Sequence, residues 1–327
     1  MPISNSAEEV KMVQVSIIVP LSRNAGAVWP ELRQILNEYG SEIEVVCVAS
    51  SRKAFPLGSS FFSQSALSSA SPKVSCFNAS FSRENSLQSL PEDMMQDGRL
   101  RFVRAPGTEK YAAMNIGLEE SWGEYVAFFE TGAKVSPGFY RELYRFASKK
   151  RTEIAGCGIK TSNPAGEDIL VNIAATGFTS SLKEKARLWR IPQYSYVGNK
   201  IYLRRALLEN GLFFKEDTKF ADMFWTPLVL KKLKRAAAVS GIWYMPPQEP
   251  SAGMAREKPS TAEYQLARLY TRAFASVNDL IPAKYAVTRK NICFLGIPIM
   301  KVLKSSRCEK CYLFHLKVKE NKRRIAA

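Results

Sequence analysis

Glu130 ends a short apolar run, EYVAFFE, and is followed by Thr131, Gly132, Ala133 and Lys134. A carboxylate at the carboxyl end of a buried strand lies where open α/β sheets hold their ligands. It can give an oxygen ligand to a divalent cation, or it can simply close the strand. Asp222, in KFADMFW, stands at the start of a second apolar stretch. There it can take a proton from an attacking hydroxyl, or serve only as an acidic residue favoured by a helix dipole. Arg23, Arg52, Lys53, Lys110 and Lys134 stand at or beside the ends of predicted strands. Such cations can neutralise a phosphate without a metal, and equally can be ordinary surface charge.

Other chemistries lack their residues. His315 is the only histidine, which excludes Ser-His or Cys-His catalysis in the main domain. No G-x-x-x-x-G-K-[ST] or G-x-G-x-x-G opens a helix after a strand, so kinase, ATPase and dehydrogenase signatures are missing. Cys308-x2-Cys311 with His315 offers three zinc ligands, and Cys293 could be a fourth. The pair sits inside an apolar repeat, where cysteine behaves as a small hydrophobe, so no metal is expected there.

The carboxylates need a frame. VQVSIIV at 13–19 reads as a buried strand ended by Pro20. Residues 29–39 carry Leu32, Ile35, Leu36 and Tyr39 at helical spacing, with Gly40 as a C-cap. IEVVCV at 43–48 is a second strand, LRFVR at 100–104 a third, and 124–129 a fourth. A helix over 111–120 separates the last two, and Ser136-Pro137 reads as the N-cap and first position of another. Further strands are expected at 154–159, 169–174 and 236–244, and Pro227 predicts a regular helix only from Thr226 onward. Strand and helix in alternation imply a parallel sheet with right-handed crossovers. Residues 50–90 contain fourteen serines and little periodicity, as in a surface-loop insertion. The expected organisation is an α/β domain over 13–255, with a Ser-rich insertion at about 51–98, and a helical and basic extension over 256–327.

The block from Ala112 to Gly138, AAMNIGLEESWGEYVAFFETGAKVSPG, resembles family-2 glycosyltransferases of the GT-A fold. There a helix with A-R-N-x-G-L precedes G-E-Y-I-A-F-L-D-S-D-D and V-x-P-x-F. Asn115, Gly117, Leu118, Gly123, Glu124, Tyr125, Ala127, Phe128, Val135, Pro137 and Phe139 match. YVGNKIYLRRALLENGLFF resembles W-N-K-L-Y-R-R-x-L-L-E, with Gly198 for Trp, and KFADM resembles K-F-E-D-M, with Ala221 for Glu. The blocks run in register over 13–255. CFLGIPIMKV and CYLFHLKVKE echo a repeat that ends some bacterial cell-surface polysaccharide glycosyltransferases.

The resemblance implies a mostly parallel, nucleotide-diphospho-sugar transferase-like sheet flanked by helices. It implies an inverting, hexosyltransferase-like enzyme that moves sugar from a nucleotide-sugar donor to a glycan or lipid-linked acceptor of the envelope. Asp222 would be the general base. Pro20, Ala49, Arg52, Asn115, Glu130, Thr131 and Lys134 would line the donor site, and Asn199 and Lys200 the acceptor side. The family's metal, Mg²⁺ or Mn²⁺, would rest on Glu130. Here D-S-D-D has become Glu130-Thr131-Gly132-Ala133, so weak or absent metal dependence is expected. Ser22-Arg23 replaces the family's Y-N, Ala49-Ser50-Ser51-Arg52 replaces D-D-G-S, and Met114 replaces an arginine. The alternative is a catalytically silent relative that binds a sugar, a nucleotide or a partner enzyme.

Bulk composition agrees with a globular chain: 327 residues, 46% hydrophobic. No apolar run approaches the roughly 18 residues of a membrane span, and the polar, acidic start is not a secretory signal. A cytoplasmic protein is expected, peripheral on the inner face of the cell membrane. Of the net charge of +17, the segment from Lys284 carries twelve Lys/Arg against two Glu. Such a tail suits an anionic membrane surface, or is only a solvated tail. No nucleic-acid partner is expected, because no RNA-binding motif with interleaved aromatics accompanies the charge.

Overall fold

The computed structural model describes residues 12–21, 25–51, 90–106, 109–162, 168–171, 176–189, 191, 194–216 and 220–247, and four strands between 288 and 322. The chain begins with β1 (Val15–Leu21), a 3-10 turn at Ala25–Val28, α1 (Trp29–Glu38), β2 (Ile43–Ser51), α2 (Glu92–Met95) and β3 (Leu100–Pro106). There follow α3 (Lys110–Glu120), β4 (Tyr125–Phe128), β5 (Lys134–Val135), α4 (Phe139–Lys150), β6 (Ile154–Ser162), β7 (Asp168–Val171) and β8 (Gly177–Thr179). The domain closes with α5 (Leu182–Leu188), β9 (Lys200–Leu203), α6 (Arg204–Asn210), α7 (Ala221–Lys232) and β10 (Ala236–Met245).

The sheet runs β3-β2-β1-β4-β9-β6-β10-β5. Its parallel character lies in the pairings of β1 with β2 and β4, β2 with β3, and β6 with β10. The short β9 enters antiparallel between β4 and β6. β1 is buried along its whole length, because helices cover both sheet faces. Its alternation sends Val15, Ile17 and Val19 into one core with Leu32 and Ile35 of α1 and Phe139 and Leu143 of α4. Ile18 enters the other, with Met114 and Leu118 of α3 and Trp225 and Leu228 of α7. A Cβ at Gly117 would come within 2.3 Å of Ile18 Cγ2, so only glycine lets α3 lie this close to β1.

Four local expectations change. Ser136 is not an N-cap: its amide and hydroxyl bond Trp243 of β10, and α4 starts after Gly138. Sheet contacts thus outbid the cap. Gly40 does not cap α1, which ends on extended Tyr39. α7 starts at Ala221 and contains Pro227. Burial around the helix holds it there: Leu228 and Val229 enter the core, Thr226 Oγ1 donates to Ser195 O, and Lys185 of α5 donates to Leu230 O and Leu233 O at its end. Finally, the described residues between 288 and 322 are strands, not helix. They form β11 (Thr288–Phe294), β12 (Ile297–Lys304), β13 (Cys308–Leu313) and β14 (Leu316–Lys322), an antiparallel sheet in that order. Each apolar repeat is one hairpin, closed at the Phe294–Ile297 and Leu313–Leu316 pairs. Gly296 and Pro298 break the first repeat for a helix. The helical expectation for 256–287 and the Ser-rich stretch 52–89 lie outside the described residues.

Candidate functional site

Two neighbouring side chains at the start of α3 each take one of the two carboxylates. Lys110 Nζ lies 2.5 Å from Glu130 Oε2. Tyr111 Oη donates to Asp222 Oδ1 at 2.9 Å. Glu130 and Asp222 are 8% and 9% exposed, so both are held in a largely desolvated setting. Glu130 follows β4, where Phe129 N still donates to Ile18 O of β1. The chain then turns: Ala133 N donates to Glu130 O, and Gly132 adopts φ +83. Asp222 is placed by the first turn of α7, which begins from Phe220 at φ 56. A left-handed phenylalanine is strained, and such strain is held only where the surroundings fix it.

An aromatic stack supports this arrangement. Tyr111 stacks on Phe214 at 5.4 Å, and Phe214 stacks on Trp225 at 4.3 Å. Phe128 meets both Phe214 and Trp225 edge-on. Burial, then the charge of Asp222, pushes the Tyr111 hydroxyl far above its usual range, so it stays a proton donor at any physiological pH. A carboxylate fixed by a neutral donor, in a dry aromatic setting, can accept a proton from a hydroxyl placed beside it.

Other expected site residues go elsewhere. Asn115 is fully buried, and its amide binds Phe214 O, Glu216 Oε1 and Phe214 N. It ties the segment before α7 to α3, with its amide engaged inside the fold. Asn199 and Lys200, expected on the acceptor side, are also 0% exposed. Asn199 Nδ2 donates to Cys157 O, and Lys200 Nζ donates to Asn199 Oδ1 and Tyr196 O. Burial pulls the Lys200 ammonium down to about 7, against the opposing pull of Cys157 and Asp222. Pro20 and Ala49 are buried near the carboxyl ends of β1 and β2. Lys134 is exposed at the start of β5. Arg23, Arg52 and Lys53 lie outside the described residues. The sequence reading missed Tyr111. Its bond to Asp222 spans 111 positions, and no local pattern announces it.

The residues at the family's metal position do not fit a divalent cation. Gly132 and Ala133 carry no side-chain ligand atom, and the carboxylate of Glu130 is engaged by an ammonium. The Thr131 hydroxyl is buried without a hydrogen-bond partner. Among the described residues no three His, Cys, Asp or Glu gather as a metal group.

Comparison places this geometry. Residues 79–212, spanning α2 to α6, match the family model for Glycosyl transferase family 2. The likeness to family-2 glycosyltransferases is thus present in the sequence, and the architecture is the GT-A fold. The fold is similar to that of S. aureus TarS 1–349 solved in complex with UDP (TM-score 0.52, 14% identity, 71% of this chain and 60% of that one). The same fragment in complex with UDP-GlcNAc gives a TM-score of 0.52 at 14% identity, over 74% and 62%. Without ligand it gives 0.51 at 15%, over 70% and 60%. The chain therefore spans about 60% of the length of these structures. No curated protein matches at the sequence level. Among the described residues no helix is long and apolar enough to cross a membrane.

Proposed function

We propose that the protein is a glycosyltransferase that moves a sugar from a nucleotide-sugar donor to a growing envelope, capsule or lipopolysaccharide glycan, with inversion. The observation that supports this is Asp222: it opens α7 in the KFADM stretch that resembles the family's K-F-E-D-M, and Tyr111 fixes it. The acceptor hydroxyl attacks the anomeric carbon, the bond to the nucleoside diphosphate breaks with its electron pair, and Asp222 takes the hydroxyl proton. Crystal structures of S. aureus TarS hold UDP and UDP-GlcNAc, which makes uridine sugars the first donors to try. The test is a nucleotide-sugar panel by thermal shift, with and without Mg²⁺ or Mn²⁺, followed by turnover of any binder. Asp222→Asn should abolish turnover and leave donor affinity nearly intact, because a base acts in the transition state.

One observation favours a second reading. With only Glu130 left of the metal carboxylates, and that residue engaged by Lys110, the protein could be a silent relative that binds a sugar, nucleotide or partner enzyme. Donor binding without transfer to any acceptor would select it. In either case residues 13–255 act as the GT-A unit, and 256–327 as an extension on a cytoplasmic, membrane-apposed protein. The excess of Lys and Arg from Lys284 onward supports docking to anionic lipid. Liposome co-sedimentation that persists after truncation at Ala283 would refute that docking.

A further inference from the structure

Resting on the transferase reading, we propose that Lys110 is the cation that receives the donor's diphosphate, with Glu130 as its holder. Glu130 sits where the family's metal ligand would be, yet it contacts an ammonium at 2.5 Å. Gly132 and Ala133 cannot complete an ion's coordination, so a metal here would have to displace Lys110 and bind through one carboxylate. Lys110 needs no such change. An ammonium has three donors, and Glu130 Oε2 takes one of them. The Lys110 side chain keeps 34% of its surface exposed, whereas Glu130 keeps 10%, so a phosphate reaches the ammonium first.

Two further features converge on the same point. Lys110 is the first residue of the eleven-residue α3, whose opening amides and dipole favour an anion. The Thr131 hydroxyl, next to Glu130 in sequence, is a buried polar atom without a protein partner at the same strand end. The carboxylate then has a role other than metal binding. It holds the lysine at the strand end, within the same helical turn that lets Tyr111 fix Asp222. Adjacent residues of α3 would serve leaving group and base, which couples the two ends of the reaction to one rigid element.

The experiment is calorimetric titration of the full chain with UDP, GDP and ADP, each in Mg²⁺ and in chelator. The wild type should bind one of them with affinities in the two media within about twofold of each other. Lys110→Met should weaken that binding at least about tenfold in both media, and Lys110→Arg should keep most of it. Glu130→Gln should leave affinity within a few-fold, since it removes a holder and not a ligand. The Lys110→Met/Glu130→Gln double variant leaves no buried charge unpaired, and it should bind as weakly as Lys110→Met. Binding that needs Mg²⁺ and vanishes in Glu130→Gln would overturn the proposal while sustaining the transferase reading. Binding unaffected in both Lys110→Met and the double variant would also overturn it. Failure of the wild type to bind any of the three nucleotides would remove the proposal together with the reading beneath it.

Discussion

Asn115 and Phe214, 99 residues apart, exchange hydrogen bonds in both directions: Asn115 Nδ2 donates to Phe214 O at 2.9 Å, and Phe214 N donates to Asn115 Oδ1 at 2.8 Å. A primary amide matches both the N–H and the C=O of one residue, which neither Asp nor Leu can do. The pair fixes α3 to the loop that leads into α7, and so fixes Tyr111 against Asp222.

Asn115→Ala leaves a buried peptide N–H and C=O without partners, at a cost on the order of 2–4 kcal/mol. Urea denaturation should read that loss. Affinity for a bound nucleotide, measured where the variant is folded, should change little. A large loss of nucleotide affinity in a fully stable variant would restore Asn115 to the donor site.

Tyr111→Phe keeps the ring on Phe214 and removes only the hydroxyl that serves Asp222. A hydrogen bond to a charged group is worth about 1.5–3 kcal/mol, so kcat should fall about 10- to 100-fold. KM for the donor should hold, because the hydroxyl positions the base and binds no substrate. A change confined to KM would argue against Asp222 as the proton acceptor.

The longer strands β1, β2, β3, β4, β6 and β10 were readable because apolar runs such as VSIIVPL have the length and punctuation of buried strands, whereas the short β5, β8 and β9 and the C-terminal hairpins were not. Helix starts were less so. Ser136-Pro137 has cap chemistry, but Ser136 is taken by Trp243 of β10, a partner 107 residues away. The same limit applies to the site. A motif position gives register along the chain and says nothing of which way a side chain faces: Asn115, Asn199 and Lys200 read as ligand contacts, and their side chains are buried and hydrogen-bonded inside the fold. Glu130 and Asp222 were legible as carboxylates at element ends. Lys110 was legible as a cation near a strand end but not as the partner of Glu130, and Tyr111 was not legible at all, because each contact depends on how α3 sits against β4 and α7.

Gly198 stands where the resemblance leads one to expect a tryptophan, and Tyr244 closes on it. A Cβ at Gly198 would lie 2.6 Å from Cε2, Cζ and the hydroxyl of Tyr244. Gly198→Trp should therefore destabilise by overpacking, on the order of 1–3 kcal/mol. Tyr244→Ala should cost separately by leaving a cavity. Combined, the two changes should cost at least about 1 kcal/mol less than their sum, as residues sharing one volume do. Strict additivity in a denaturation cycle would mean that Tyr244 does not take the tryptophan's place.

Lys200 makes the stability of the fold depend on pH. It is 0% exposed, with its ammonium on Asn199 Oδ1 and Tyr196 O, and a Cβ at Gly156 would press within 2.7 Å of its Cγ. Burial lowers its proton affinity to about 7 from 10.5. Between those values the unfolded chain binds the proton that the folded chain has released, so stability rises with pH there. Below about 7 both states are protonated, and the full cost of burying the charge is present and constant. The thiols of Cys47 and Cys157 are pushed up by burial, so they oppose this trend only once unfolded thiols ionise near 9. Comparison with Lys200→Met cancels that opposing term. From pH 7 to 9 the wild type should gain on the variant by on the order of 1–3 kcal/mol in urea denaturation. Parallel curves across that range would show that the amine stays protonated in the folded protein, and that its hydrogen bonds offset the cost of its burial.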